Sequence, residues 1–229
     1  MIIRILGTKG EIQAQAPKHR KHSGVLIDRK ILIDVGEFEF LKYKPELILI
    51  THFHPDHAFF AKRGEIGKIN IPIYGPEHLN QTNQIKIATG RLKWNGHIIT
   101  PIPTIHSVKV KSQGYIIEKN RKRIFYSGDL ITIEKQFFYL LRKLDLVITE
   151  GSFFRKGGLV RRSESGKLYG HEGIPNLVFF FRPFTQRIVF THFGTWFMKN
   201  VAAAREKIKL LEDRGLTLEI ADDGIEYEI

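Results

Sequence analysis

The chain has 229 residues, 42% hydrophobic and 26% charged. That balance fits one large domain with a sizeable core and excludes collagen-like, low-complexity and disordered classes. The absence of Cys excludes disulfides, cysteine-based zinc fingers, iron–sulfur clusters and thiol nucleophiles. Lys and Arg number 36 against 24 Asp and Glu, a formal charge of +12, which favours phosphate-bearing or polyanionic partners.

The N-terminal Met1–Leu6 run turns polar too soon for a signal peptide. No stretch approaches the roughly 18 apolar residues of a membrane span. The expectation is a soluble cytoplasmic protein without a membrane partner.

In chain order the sequence predicts strands at Ile2–Leu6, Gly24–Ile27 and Ile31–Val35, the last two joined by a turn at Asp28-Arg29-Lys30. Leu47–Thr51 reads as a strand buried on both faces. Ile69–Tyr74 follows, then a short helix from Glu77. Further strands are predicted at Ile98–Ile102, Ser107–Val110, Tyr115–Glu118 and Arg123–Ser127, with a turn at Asn120-Arg121. Helical spacing of Phe137, Phe138, Leu141 and Leu144 predicts a helix over Ile133–Lys143. Leu146–Thr149 and Ile188–Thr191 read as buried strands, separated by a polar stretch from Gly151 to Gly170 and an apolar helix from Ile174. A helix over 199–213 and two strands within Leu216–Ile229 close the chain. No Pro-, Gly- or Ser-rich linker and no short-period repeat appears. A single domain over 1–229, with two sheets face to face and helices outside, is therefore expected.

The strongest chemical signal is Thr51-His52-Phe53-His54-Pro55-Asp56-His57. With ten His in the chain, composition alone yields such a cluster in fewer than about 1 in 1,000 sequences. His52 and His54, two apart in an extended segment, point to one side, where two imidazoles can share a metal. Pro55 keeps His54 extended and suits the first position of a turn or helix. Asp56 and His57 then face a second point nearby, so the motif predicts two metals. His106, Asp129 and His192 sit at other strand ends as further ligand candidates. His78 and His97, with no place in this pattern, read as surface residues. Trp94 and Trp196 read as packing.

The order His-x-His-x-Asp-His, a later His, Gly128-Asp129 and a late Thr191-His192 resembles the metallo-β-lactamase-fold hydrolases over nearly the whole chain. Leu32-Ile33-Asp34-Val35-Gly36 is similar to the strand that precedes the His motif there. The resemblance implies an α/β four-layer αββα sandwich. It implies His52, His54 and His106 on one metal, Asp56, His57 and His192 on the other, and Asp129 bridging. Asp34 would steady a ligand imidazole from behind. Zinc is the default metal, and a thiolate-free site would also accept manganese or iron. True β-lactamases of the superfamily commonly use a Cys ligand, which this chain lacks.

Thr149-Glu150-Gly151-Ser152-Phe153, Gly170-His171 and Val189-Phe190-Thr191-His192-Phe193 resemble the ribonuclease Z branch and the cyclic-phosphate phosphodiesterases. Where ribonuclease Z usually has Gly-Leu-Pro-type residues, Asp56-His57 runs into Ala58-Phe59-Phe60. No long Gly/Pro-rich insertion suited to gripping tRNA is present. A phosphodiester bond in a nucleotide, cyclic nucleotide or nucleic acid is therefore better supported than tRNA itself. In this reading Asp56 takes the proton of the attacking water, His171 protonates the leaving oxygen and Glu150 orients His171. Arg161 and Arg162, with Arg20, are candidate substrate contacts. Two alternatives stay open: a lactonase or thioesterase of the glyoxalase II type, and a metal- or nucleic-acid-binding protein without turnover. Assembly is also open, a homodimer included.

Overall fold

The computed structural model describes residues 1–62, 69–79 and 84–229. Its strands are mostly short, and those at the sheet centres are strongly apolar and buried on both faces. In chain order they begin with β1 (Ile2–Gly7), β2 (Gly24–Ile27), β3 (Ile31–Ile33), β4 (Leu47–Leu49), β5 (Ile73–Gly75) and β6 (Ile85–Ile87). A second series follows: β7 (Leu92–Trp94), β8 (His97–Ile105), β9 (Ser112–Lys119), β10 (Lys122–Tyr126), β11 (Thr132–Ile133) and β12 (Leu146–Gly151). The chain then forms β13 (Leu159–Arg162), β14 (Leu168–His171), helix α1 (Ile174–Phe181), β15 (Arg187–Phe193), helices α2 (Thr195–Met198) and α3 (Val201–Lys209), β16 (Thr217–Ile220) and β17 (Glu226–Glu228).

One sheet runs β17-β1-β2-β3-β4-β5-β6 and the other β11-β8-β9-β10-β12-β15-β16, with β7 also on β8. Each is antiparallel in its first part and parallel in its second, from β3 to β6 and from β10 to β16. The period-2 alternation of strands sorts side chains into three layers. Leu47 and Leu49 of β4, Leu146 and Ile148 of β12 and Val189 of β15 meet between the sheets. Val147, Ile188 and Phe190 face outward onto α1 and α3 through Leu177, Phe181, Ala204 and Ile208. Ile48 faces the other way, toward Phe40, Phe53 and Phe60. The result is the expected four-layer sandwich. Over the first sheet, among the described residues, the outer layer is a 3₁₀ turn at Phe38–Tyr43 and the coil after β4, not an α-helix.

The two polar turns are as expected. Asp28 and Arg29 take φ of 49° and 59°, and Asn120 and Arg121 take 49° and 64°, the left-handed pair that matches strand twist in a tight hairpin. Several expectations are corrected. Ser107–Val110 is not a strand, because Ser107 Oγ accepts the N–H groups of Lys109 and Val110 and turns the chain. No helix begins at Glu77, and 80–83 lie outside the described residues. The helix expected over 133–143 is a 3₁₀ helix at Lys135–Leu141, because Ile133 is used by β11 opposite Thr104. The helix over 199–213 stops at Lys209 and starts after Asn200, whose side chain accepts the Ala203 N–H at 3.1 Å. His97 is buried, with Nε2 2.8 Å from Asp28 Oδ2. The stretch Gly151–Gly170 contains the β13–β14 hairpin. Among the described residues no helix is long and apolar enough to cross a membrane.

Candidate metal centre

Every residue singled out around the His motif lies at a carboxyl end of a strand, where open parallel sheets leave a crevice for ligands. Asp34 follows β3, the His motif follows β4, His106 follows β8 and Asp129 follows β10, while Glu150 and His192 sit near the ends of β12 and β15. His171 ends β14. Two groups of ligand atoms that share no residue result, His52, His54, His106 and Asp129 in one and Asp56, His57 and His192 in the other; a third, Asp129, Glu150 and His192, overlaps both.

In the first group His52 Nε2 and His106 Nε2 lie 3.0 and 3.3 Å from His54 Nδ1, and 3.7 and 3.6 Å from Asp129 Oδ2. In the second, Asp56 Oδ2 lies 2.9 Å from His192 Nε2 and 3.8 Å from His57 Nε2, and Asp129 Oδ1 lies 3.2 Å from His57 Nε2. Ligand bonds of about 2.0–2.1 Å in a tetrahedron require edges of about 3.3 Å, which both groups approach. Asp129 presents one oxygen to each.

The hydrogen bonds behind the imidazoles fix which nitrogen faces inward. Thr51 Oγ1 donates to Asp34 and so accepts from His52 Nδ1, at 3.1 Å. His57 Nδ1 donates to Asp34 Oδ2 at 2.7 Å, and His106 Nδ1 to the Gly170 carbonyl at 2.8 Å. Ser152 Oγ donates to the His192 carbonyl and accepts from His192 Nδ1 at 2.9 Å. Each of these rings therefore presents an unprotonated Nε2, and in each group nitrogen lone pairs face other acceptors. His57 Nε2 and Asp129 Oδ1 are buried without a hydrogen-bond partner, a costly state unless a cation sits between them. The donor set, imidazole and carboxylate with no thiolate, suits zinc, manganese or iron.

The electrostatics favour neutral rings in the first group and positive charge in the second, where a cation at Nε2 would take the place of a proton. Burial pushes His52 and His54 down, and pushes His106 down to about 4, which favours the neutral imidazoles that ligate metals. Burial also opposes charge on His57 and His192, but the surrounding carboxylates, Asp129 foremost, outweigh it and raise both. Asp56 and Asp129 remain ionised despite burial, held low by His57 and His192.

Beside Asp129, at 3.8 Å, stands His171 Nδ1, which donates to Glu150 Oε2 at 2.8 Å. Burial lowers the His171 pKa, but Glu150, then Asp129, overcome it and raise it to about 9. Glu150 Oε1 is in turn fixed by the Leu130 N–H at 2.6 Å. A cavity of about 380 Å³ is lined by His54, Asp56, Asp129, His171 and His192 on one side and by Ile12, Phe153 and Trp196 on the other. Trp196 thus borders the cavity, with its indole N–H on the Gly151 carbonyl.

The nine sequence-derived candidates of the ligand and proton-transfer set converge here, with Asp34 behind them. The three arginines do not stay together. Arg161 lines a smaller cavity with His54, His106 and His171. Arg162 points away and donates to the Gly166 carbonyl of its own hairpin. Arg20 is not at the centre: its backbone N–H is held by Asp223 where the segment 17–22 folds onto the C-terminal turn, and it lines none of the cavities around the ligands. Thr51, Ser152 and Gly170 bond candidate ligand imidazoles, and although the sequence motifs contain all three, they gave none of them this role. Only their positions beside His52, Glu150 and His171 hinted at a role.

Two facing sheets with paired His/Asp groups at their strand ends define a metallo-β-lactamase fold. Residues 41–193 match the β-lactamase superfamily domain family, to which the chain belongs. Among solved structures it is similar to the metallo-β-lactamase-fold protein YhfI of Bacillus subtilis, at 19% identity, TM-score 0.70 and 99% of both chains. It is also similar to a diphosphatase from the PhnP family (17% identity, TM-score 0.69, 100% of this chain and 97% of that one). Human tRNase Z, short form, aligns at 18% identity, TM-score 0.65 and 100% and 99% coverage. No curated protein sequence matches the chain.

Proposed function

We propose that the chain is a dinuclear metal-dependent hydrolase of phosphodiesters, with zinc as the resident metal. The observation that carries this reading is the Glu150–His171 pair, 2.8 Å apart, with His171 on the wall of the cavity that both ligand groups share and Glu150 buried behind it. A positioned acid serves the departure of an alkoxide, the poor leaving group of a phosphate diester, whereas the thiolate of a thioester departs without one. The similarity to a diphosphatase and to tRNase Z supports the same class.

The metals, when bound, supply charge that polarises phosphoryl oxygens and lowers the pKa of water. His52, His54 and His106 would hold one, Asp56, His57 and His192 the other, and Asp129 both. Two divalent cations against Asp56 and Asp129 leave the centre net positive, which suits an anionic substrate. His171, in its protonated form, donates its cavity-side proton to the leaving oxygen. Glu150 keeps the ring oriented and stabilises the imidazolium. Asp56, ionised and on the cavity wall, accepts a hydrogen bond from the attacking water.

The test is metal-loaded protein assayed on bis(p-nitrophenyl) phosphate beside a lactone and a thioester. Metal-dependent turnover of the phosphate diester in preference to the other two is expected. Turnover of the lactone or thioester alone would replace this reading with the glyoxalase II-type alternative.

A further inference from the structure

The β13–β14 hairpin is short, but its register decides which side chains meet the metal centre. Leu159 pairs with His171, and Arg161 with Tyr169. Directly paired residues of an antiparallel ladder lie on one face, so Leu159, Arg161, Tyr169 and His171 share the face turned toward the ligands. Val160, Arg162 and Leu168 take the other. The hairpin cannot swing freely. Gly170 N–H donates to the His106 carbonyl at 2.7 Å, and its carbonyl accepts from His106 Nδ1.

On this face lies a cavity of about 210 Å³, lined by His54, His106, Ser107, Arg161, Tyr169 and His171. The larger cavity contains Asp56, Asp129 and His192. The smaller shares His54, Leu159 and His171 with it but none of those three, so it adjoins the reacting position and does not contain it. Arg161 has no hydrogen bond or ion pair among the described residues, unlike Arg155, whose Nε donates to Gly158, and Arg162. An unpaired guanidinium beside a phosphodiester site is a fork for a bidentate oxyanion.

Resting on the phosphodiesterase reading above, we propose that Arg161 is a specificity-determining residue. It grips a second phosphate of the substrate, one that flanks the scissile diester and lies in the smaller cavity, while Arg162 takes no part. The favoured substrate is accordingly a nucleotide diester carrying a further phosphate monoester.

The test compares p-nitrophenyl thymidine 5′-phosphate with the same ester bearing a 3′-phosphate, in wild type, Arg161→Gln, Arg161→Lys and Arg162→Gln. Wild type and Arg162→Gln should favour the 3′-phosphorylated ester by about 10- to 100-fold in KM, with kcat similar for the two esters, as expected for a ground-state contact. Arg161→Gln should bring the preference close to unity, and Arg161→Lys should restore part of it. Binding of thymidine 3′,5′-bisphosphate to the metal-loaded proteins, by calorimetry, gives a readout free of turnover and should weaken by the same factor in Arg161→Gln, by less in Arg161→Lys and not in Arg162→Gln. If wild type cleaves neither ester but Arg161→Gln still loses bisphosphate affinity, the phosphodiesterase reading fails and the subsite stands. A preference equal in wild type and Arg161→Gln, or lost in Arg162→Gln instead, overturns the proposal. Bisphosphate affinity unchanged in Arg161→Gln overturns it as well.

Discussion

Gly170 and His106 are bonded to each other twice, the Gly170 N–H to the His106 carbonyl at 2.7 Å and His106 Nδ1 to the Gly170 carbonyl at 2.8 Å. One glycine thus seats the β13–β14 hairpin and sets the tautomer of a candidate ligand imidazole 64 residues earlier in the chain. Its φ of +116° is nearly closed to other residues, and a Cβ there would meet the Leu159 carbonyl oxygen at 2.0 Å. Gly170→Ala should lower affinity for one of the two metals by about 10- to 100-fold, the range typical for loss of a supporting bond to a ligand imidazole. Gly166→Ala, at φ +80° with open space around it, should cost about 1 kcal/mol of stability and leave metal affinity alone. Titration with a chelator, followed by metal content, separates the two.

Asp34 reaches both ligand groups. It accepts from His57 Nδ1, from Thr51 Oγ1, which in turn holds His52, and from Tyr126 at 3.1 Å. Asp34→Asn should therefore weaken both metals, again by about 10- to 100-fold each. A variant that loses only one metal would show that the path through Thr51 to His52 carries no weight.

His171→Ala should lose about 10²–10⁴ in rate on a diester with an alkoxide leaving group. On a p-nitrophenyl ester, whose leaving group departs without a proton, the loss should be far smaller. Metal content should not change. Equal losses on the two substrates would make His171 a phosphate binder, and loss of bound metal would make it a ligand. Glu150→Gln should repeat the pattern more mildly.

Away from the site, Asp28 accepts from the Ile2 N–H, His97 and Lys119. Burial raises its pKa, but these partners more than offset that and bring it down from 3.8 to about 2. A depressed carboxylate stabilises the fold fully above its unfolded-state value and loses that contribution as the pH falls through its folded value. The side chain is 13% exposed, and with solvent screening the shift contributes at most about 2 kcal/mol. Asp28→Asn should therefore cost up to that much at pH 7 in denaturant unfolding and almost nothing near pH 2. A deficit that persists undiminished at pH 2 would mean that packing and not charge is lost.

The convergence of the candidate ligands was legible because each of their signals is local. His52, His54, Asp56 and His57 carry their geometry in their spacing, and His106, Asp129 and His192 stand where apolar runs end. What lies behind them was not legible. Ser152 reaches His192 across 40 residues and Gly170 reaches His106 across 64, and no local pattern encodes such pairs. The β13–β14 hairpin escaped because Arg161-Arg162 and Lys167 make it read as solvated loop. Only its register separates Arg161 from Arg162. His97 looked like a surface residue for the same reason, since its partner Asp28 is 69 residues away. Ser107–Val110 has the β-branched alternation of a strand, but the Ser107 hydroxyl captures the backbone that a ladder would need.

The claim on which everything else rests is a two-metal centre built by residues from both sheets. Elemental analysis of the purified protein, before and after zinc or manganese is added and the excess removed, tests it most directly. The account predicts about two metal ions per chain, falling to about one in His52→Ala with the fold retained. Protein that holds no metal and takes up neither zinc nor manganese would contradict it.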